Sequence, residues 1–350
     1  MAKAILGVDI GNDSLKLALV KGIKVKKTAI APMPKGLVRE GRIVSPQSMS
    51  ELIRKTMKAN KIKAQKAALI LSNEVVFVRN VTMPWMNAEQ LAYNLPFEFR
   101  DYISDELKNY VCDYAMISTP EELQKQTETE ESPDEGAPGA GGEELSRRME
   151  LTAVAVQNTV MDESRDLIRM SKMKMLRAAP TISCYAGLIR AMKKGGASLP
   201  EELCILDLGY QAIRMYIFKE DCHEVTRVLE TGLSSLDEVI ADAYNVDIHL
   251  AHTYLLTNYE DCQNKEFCSN AYGNIAVELM RALNFFRFSN PDSHLADVWL
   301  CGGGASIGPL KNAIMETLDL EIHEAPELVP KGDSIENCSS LIQAIGITMD

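Results

Sequence analysis

Two stretches of this 350-residue chain share one pattern, a buried strand, an Asp-x-Gly turn and a second strand. The first, ILGVDIGNDSLKLALV, runs from Ile5 to Val20, and the second, ILDLGYQAIRMYIF, runs from Ile205 to Phe218. The two Asp-x-Gly turns are 198 residues apart, and seven residues after each aspartate comes a cation, Lys16 or Arg214. Because strands lead and helices follow in both halves, the pattern predicts an α/β protein of two similar lobes with duplicated βββαβα units.

Composition limits the class of protein. The chain has 46% hydrophobic residues and no apolar run of bilayer length, which predicts a soluble cytosolic protein. Eight cysteines without a CxxC pair indicate reduced thiols in the core. Most of the net charge of −12 lies at 119–146, where nine acidic residues face the single Lys125. This acidic, Pro- and Gly-rich segment is predicted to be a disordered loop.

Short local signals mark the starts of three helices. Ser45 before a proline predicts an N-cap with proline at the first helical position. Asn87 with Gln90, and Ser235 with Glu238, have the spacing of capping boxes.

A third motif, three consecutive glycines, follows a buried strand and precedes a helix that begins near Ser306. Such a turn lets a flat ligand or its phosphates approach the backbone at a helix N-terminus. The first hairpin offers backbone N–H groups, polar side chains and Lys16 to phosphate oxygens, and Asp9 suits Mg²⁺ held through water. Either hairpin alone is also consistent with an ordinary tight turn. The three motifs together predict a nucleotide site.

The order of these motifs resembles the actin-like ATPase superfamily, which includes actin, Hsp70, sugar kinases and the bacterial FtsA. Within it, segments such as GVDIGNDSLKLALV and WLCGGGASIGPLKNAIMETL are similar to the PilM family of type IV pilus assembly proteins. The resemblance implies the two-lobed actin-like fold with a small α+β subdomain inserted in lobe I. The implied boundaries are 1–35, 177–203 and 330–350 for the lobe I core, 36–176 for the inserted interaction subdomain and 204–329 for lobe II.

The resemblance also implies a site for ATP and Mg²⁺, in which Asp9 organises the metal ion. Residues implied to contact phosphate or nucleoside are Gly11, Asn12, Asp13, Ser14, Lys16, Asp207, Gly209, Gly302, Gly303, Gly304 and Ala305. Glu278 and Arg281, three apart on one helix face, take the place that holds ribose and adenine in relatives, although a solvated salt bridge is the alternative. Tyr210 departs from the small and hydroxyl residues usual in the second hairpin. We therefore expect nucleotide binding with at most weak ATPase activity, and we assign no catalytic residue.

The stretch MPWMNAEQLAYNLPFEF concentrates aromatic residues in the predicted insert. Such a cluster is typical of a core, and also of a peptide-binding groove. The resemblance implies a groove for the short cytoplasmic tail of a single-span inner-membrane protein such as PilN. The residues expected to line it are Val76, Val78, Trp85, Leu91 and Phe97.

The implied function is that of a cytoplasmic scaffold of type IV pilus assembly, associated with the inner membrane through its partners. Self-association into a ring and contact with pilus motor ATPases are expected, whereas nucleic-acid binding and direct membrane insertion are not. A small-molecule kinase of the same fold would need a substrate-side carboxylate, and no residue stands out for that role. An FtsA-like cell-division protein would normally end in an amphipathic helix, whereas SSLIQAIGITMD predicts the closing helix of lobe I. His249 and His252 lack neighbouring metal-type residues in the sequence, so we expect ordinary helix residues there.

Overall fold

A computed structural model describes residues 4–118, 148–330 and 335–349 of the chain. The predicted acidic loop at 119–146 lies outside the described residues. The chain forms two compact units, the first made of Met1–Ile70 with Leu167–Asp350 and the second of Leu71–Asp166. All eight cysteines are free thiols, as predicted, and six of them are buried. Within the described ranges, no helix has both the length and the apolar character needed to cross a bilayer.

Lobe I of the first unit is built on a five-stranded sheet with the order β10-β6-β1-β2-β3. Its strands, with the short pair β4 and β5, are β1 (Ile5–Ile10), β2 (Ser14–Lys21), β3 (Lys24–Pro32), β4 (Val38–Arg39), β5 (Arg42–Ile43), β6 (Lys66–Leu71) and β10 (Lys174–Pro180). Its helices are α1 (Pro46–Ala59), α4 (Thr181–Lys194) and α9 (Cys338–Gly346). The predicted cap of α1 is confirmed, because Ser45 accepts a hydrogen bond from the Ser48 N–H. Met49 and Ile53 of α1 pack into the core beneath β1 and β2, and α9 packs against both strands.

The strand β6 lies in this sheet and runs parallel to β1. The sequence predicts that β6 belongs to an insert at 36–176. The compact unit Leu71–Asp166 is smaller than this predicted insert. The boundary differs because parallel pairing joins strands that are distant along the chain, and local residue patterns do not reveal such pairing.

Lobe II repeats the arrangement with the sheet order β13-β12-β11-β14-β15. Its strands are β11 (Glu202–Leu208), β12 (Ile213–Lys219), β13 (Cys222–Leu229), β14 (Asp297–Cys301) and β15 (Glu321–Glu324). Its helices are α5 (Ser234–Tyr244), α6 (Ile248–Thr257), α7 (Glu266–Ser289) and α8 (Gly308–Thr317). In each lobe the central strand pairs antiparallel with the next strand and parallel with a later one, which confirms the predicted duplication.

The predicted capping box of Ser235 and Glu238 is wrong. The helix α5 begins at Ser234, and its N-cap, Leu233, makes no side-chain cap. The Ser235 hydroxyl donates instead to the Gly232 carbonyl, at 2.7 Å, because the chain turns tightly just before the helix.

The second unit contains a three-stranded antiparallel sheet with the order β7-β9-β8. Its strands are β7 (Val76–Pro84), β8 (Tyr110–Ser118) and β9 (Arg148–Gln157), and its helix is α2 (Ala88–Asn94), while α3 (Asn158–Met170) crosses the boundary between the units. The predicted capping box of Asn87 and Gln90 is confirmed at the start of α2. Leu91, Leu95 and Phe99 form the core with the inner face of β9.

Candidate nucleotide-binding site

The first hairpin presents a buried carboxylate next to a half-buried cation. Asp9 is 6% exposed near the end of β1, directly across the register from Lys16. The Lys16 Nζ lies 3.2 Å from Asp9 Oδ2. At the turn, the Gly11 N–H donates to the Ser14 carbonyl at 3.0 Å, which closes the hairpin at the position where β2 begins.

The second hairpin repeats this register, with Asp207 across from Arg214. Burial raises the pKa of Asp207, while Lys16 and Arg214 lower it. Burial alone would lower the pKa of Lys16, but Asp9 and Asp207 outweigh it and leave that pKa raised. Lys16 of lobe I is therefore electrostatically coupled to the aspartates of both hairpins. Gln343 of α9, which the sequence did not single out, donates to Asp207 Oδ2 at 2.7 Å.

The glycine triplet follows β14 and lies against the base of the second hairpin. Gly302 has a φ of +85°, and a Cβ there would lie 2.4 Å from Asp207 Oδ1. Its N–H donates to the Ser339 carbonyl of α9, so this turn connects lobe II to lobe I. Gly304 is buried, and Ala305 packs partly on the lobe II core. Gly303 is exposed, and its nearest neighbour would lie 3.5 Å from an added Cβ.

The tip of the first hairpin touches lobe II. The Asn12 side chain donates to Gln211 Oε1 of the second hairpin at 2.7 Å. Asp13 Oδ1 lies 3.2 Å from Nε2 of His252, a residue of α6. These contacts bring together polar side chains of both lobes at the point where phosphate was expected.

The tip of the second hairpin is fastened to lobe II. The carbonyls of Gly209 and Tyr210 accept hydrogen bonds from the Leu233 and Ser234 N–H groups, at 3.0 and 2.9 Å. The Tyr210 ring packs on the lobe II core, and its hydroxyl donates to Asp237 Oδ2 at 2.9 Å. The ring of this unexpected tyrosine is thereby held against the start of α5.

His252 is not the ordinary helix residue that the sequence predicted. Its Nδ1 lies 2.9 Å from the buried Asp237, and its Nε2 faces Asp13. Hydrogen bonds to Asp13 and Asp237 raise the pKa of His252 to about 10. Neither partner is near His252 in the sequence, so no local pattern indicates this link between the lobes.

Glu278 and Arg281 are both exposed on α7. Glu278 accepts a hydrogen bond from the Thr231 hydroxyl at 3.0 Å. Thr231 lies two residues before Leu233, whose side chain is next to Gly303 and Gly304. This turn therefore links Glu278 to the glycine triplet. Arg281 lies one turn further along α7.

The residues expected to line the partner groove have unequal exposure in the second unit. Trp85 is 53% exposed and Phe97 is 44% exposed, whereas Val76 and Val78 are half-buried on β7. Leu91 is 1% exposed and belongs to the core of this unit, so it supports α2 and presents no surface to a partner.

A separate group of metal-type side chains lies on the adjacent strands β14 and β15. Ligand atoms of Asp297, Glu321 and His323 lie within 4.8 Å of one another. His323 already pairs with Asp297 and stacks on the Trp299 ring, which accounts for its position without a metal ion.

Comparisons with known proteins agree with this architecture. The family model described as type IV pilus assembly protein PilM matches residues 7–130 and 148–326. A PilM-PilN type IV pilus biogenesis complex has a TM-score of 0.77 and 21% identity, over 98% of this chain and 97% of that one. The ethanolamine utilization protein EutJ from Carboxydothermus hydrogenoformans has a TM-score of 0.57 and 13% identity, over 99% and 89%.

MreB 5 of Spiroplasma citri bound to AMPPNP has a TM-score of 0.50 and 11% identity, over 99% of this chain and 96% of that one. No curated protein matches. These structural likenesses establish the two-lobed actin-like ATPase fold. Because the family model covers most of the residues, the chain belongs to the type IV pilus assembly protein PilM family.

Proposed function

We propose that this protein is a nucleotide-binding scaffold of type IV pilus assembly. In this proposal ATP and Mg²⁺ bind between the lobes, and the cytoplasmic tail of a PilN-like inner-membrane protein binds the unit Leu71–Asp166. The observation that carries the proposal is the coupling of Lys16 to Asp9 and Asp207, with Gly302 packed directly against Asp207. The solved MreB 5 structure, which has the same fold, is bound to AMPPNP.

The donor set fits a magnesium nucleotide. Carboxylate oxygen is the ligand type that Mg²⁺ prefers, and the ion usually keeps several waters, which suits Asp9. Lys16 is a flexible cation that would exchange its pairing with Asp9 for a phosphate oxygen. Bound ATP with Mg²⁺ would supply charge that both hairpins contact at once. Asn12 would then separate from Gln211, and Asp13 from His252. The side chains released in this way would face the bound magnesium nucleotide.

In the proposed site, the glycine triplet and α7 would bind the nucleoside part of ATP. Gly303 is exposed, so its backbone is accessible to a flat ring, while its two glycine neighbours pack against protein. Glu278, held by Thr231, would accept hydrogen bonds from ribose hydroxyls. Arg281 is the candidate for the purine.

The proposal favours binding over turnover. The Tyr210 hydroxyl is engaged by Asp237, and the backbone of the second hairpin is engaged by the start of α5. Nucleotide would then act by favouring one relative position of the lobes, since a ligand shifts a conformational equilibrium by its difference in affinity for the two states. Self-association into a ring, contact with pilus motor ATPases and a cytoplasmic location at the inner membrane belong to the same proposal.

Calorimetric titration with ATP and Mg²⁺ tests the nucleotide site. We expect Asp9→Ala and Gly303→Val each to weaken binding about tenfold or more, because each removes or blocks a contact to a charged ligand. The matched control is Gly273→Val, since no atom lies within 4 Å of a Cβ at Gly273. Equal affinity for all four proteins would reject the assigned cleft.

The partner site has its own test. Trp85 and Phe97 are exposed aromatic residues of the second unit, and exposed aromatic anchors dominate many interfaces. We expect the double variant Trp85→Ala/Phe97→Ala to lose capture by an immobilised PilN-like tail peptide. The control removes two exposed aromatic residues of α7, Phe285 and Phe288. Capture that survives the first change, or is lost equally in the control, would contradict this assignment.

A further inference from the structure

Lobe I contains a concave site at the opposite end of β1 from the first hairpin. It is a cavity of about 950 Å³, formed where β1 and β6 begin, where β2 ends and where the chain leaves α1. This volume lies within the range of small-molecule sites in proteins. Its apolar lining includes Met57 and Ile62.

Seven cationic side chains line this cavity. Besides Arg54, they are the lysines Lys21, Lys58, Lys61, Lys63, Lys66 and Lys172. None of the seven forms an ion pair with a carboxylate among the residues that the structure describes. The end of α1 accounts for Lys58, because a cation is favourable near a helix C-terminus. It does not account for the lysines contributed by other elements.

The segment that supplies most of the cavity has a net charge opposite in sign to that of the whole chain. From Ser14 to Asn73 the sequence holds fourteen Lys and Arg residues against two carboxylates, Glu40 and Glu51, although the whole chain has a net charge of −12. Like charges gathered in one concave place repel one another and concentrate anions there.

A buried hydroxyl adds an independent observation. Ser171 lines the cavity and is 3% exposed, and its Oγ has no hydrogen-bond partner among the described residues. A buried polar atom without a partner costs free energy, so such groups commonly mark the place of a ligand or water. The hydroxyl and the lysines together form the donor set that a phosphate group requires.

We propose that this cavity binds a phosphate ester with a short apolar portion, such as the headgroup region of an anionic phospholipid or its soluble counterpart. The cations would pair with the phosphate oxygens, and Met57 and Ile62 would contact the glycerol carbons. The site is separate from the proposed nucleotide cleft and uses none of its residues, so either one stands if the other fails.

The experiment compares two sources of phosphate, vesicles that contain phosphatidylglycerol and soluble glycerol 3-phosphate. The variant Lys58→Gln/Lys61→Gln/Lys63→Gln removes three exposed cations of the cavity. We expect it to weaken binding about tenfold or more, because each lysine near an anionic surface adds to the electrostatic attraction. The control Lys219→Gln/Lys265→Gln/Lys311→Gln removes the same charge from positions of lobe II, outside the cavity. It should change binding less than about twofold, since distant exposed charges are screened.

Co-sedimentation measures vesicle binding against phosphatidylcholine vesicles, and calorimetry measures the soluble ligand. Binding of vesicles alone assigns the site to lipid, and binding of glycerol 3-phosphate assigns it to a soluble ester. As a second measurement, bound ligand should protect Lys58, Lys61 and Lys63 from acetylation, read by mass spectrometry on the unaltered protein. No binding in either arm, or an equal loss in the control variant, would overturn the proposal.

Discussion

The two hairpins share one register but differ in what holds their tips. In both, an aspartate faces a cation across the strand pair, Asp9 with Lys16 and Asp207 with Arg214. The first tip reaches across to lobe II through polar side chains. The second tip is bound through its backbone to the start of α5 in its own lobe.

If the proposed nucleotide binds between them, this difference gives the two hairpins different roles. The contacts of the first tip with lobe II are made by side chains and could be replaced by a phosphate group, while its backbone accepts one hydrogen bond, from the Met33 N–H to the Asp13 carbonyl at 2.7 Å. The second hairpin is held by backbone hydrogen bonds and by the Tyr210 ring, so it provides a fixed surface. A nucleotide between them would be sensed mainly by the lobe I hairpin.

The largest expected effect comes from breaking the first hairpin's ion pair. Lys16→Met leaves Asp9 and Asp207 without their shared cation, and the side chains of Lys16 and Asp9 are 17% and 9% exposed. Removing one partner of a buried pair costs about 3 kcal/mol or more, which a denaturant titration would detect.

The control for this change is Lys311→Met. The pair of Lys311 with Glu324 is short, at 2.6 Å, but the Glu324 side chain is 57% exposed. Its loss should cost about 0.5 kcal/mol or less, as for other surface pairs. A similar loss in both variants would show that the shared cation has no special part in joining the hairpins.

A second prediction compares the glycines of the two turns. A Cβ at Gly209 would lie 2.6 Å from the Ala212 carbonyl oxygen, whereas one at Gly11 would lie 3.1 Å from the Ser14 oxygen. Gly209→Ala must therefore move a backbone that α5 holds in place, and it should cost about 2 kcal/mol. Gly11→Ala should cost under about 1 kcal/mol, because at 3.1 Å the contact is relieved by a shift of a few tenths of an ångström. Thermal unfolding measures both, and a reversed order would contradict the division of roles.

The sequence predicted the parts of the fold and of this site that repeat or that are local. The hairpin register, the glycine turn and the caps at Ser45 and Asn87 follow from neighbouring residues. Contacts between distant residues were missed. The link from His252 to Asp13 and the position of β6 beside β1 depend on how separate segments pack, which no local spacing encodes.

The cationic cavity was missed for a different reason. The whole-chain charge is dominated by the acidic segment at 119–146, which hides a run between Glu51 and Glu74 that has six Lys and Arg residues and no carboxylate. Charge counted by segment would have indicated this face of lobe I.

The smallest expected effect concerns the link between the two tips. His252 contacts Asp13 of the first hairpin and Asp237, which also holds Tyr210 of the second. Because the pKa of His252 is raised to about 10 in the folded protein, its contribution to stability is full below the ordinary histidine pKa near 6.5. That contribution declines as the pH rises above 6.5 and is lost once the pH passes through about 10.

The variant His252→Gln removes this titration. At neutral pH it should lower the free energy of unfolding by about 1 kcal/mol, since the pair with Asp13 is partly exposed. The difference from the unaltered protein should shrink steadily toward pH 10, whereas His294→Gln, at an exposed lobe II histidine, should show no such trend. Denaturant titrations across this pH range separate two explanations. A difference that stays constant with pH would mean that His252 joins the tips by shape alone, because a protonated link must weaken as its proton is lost.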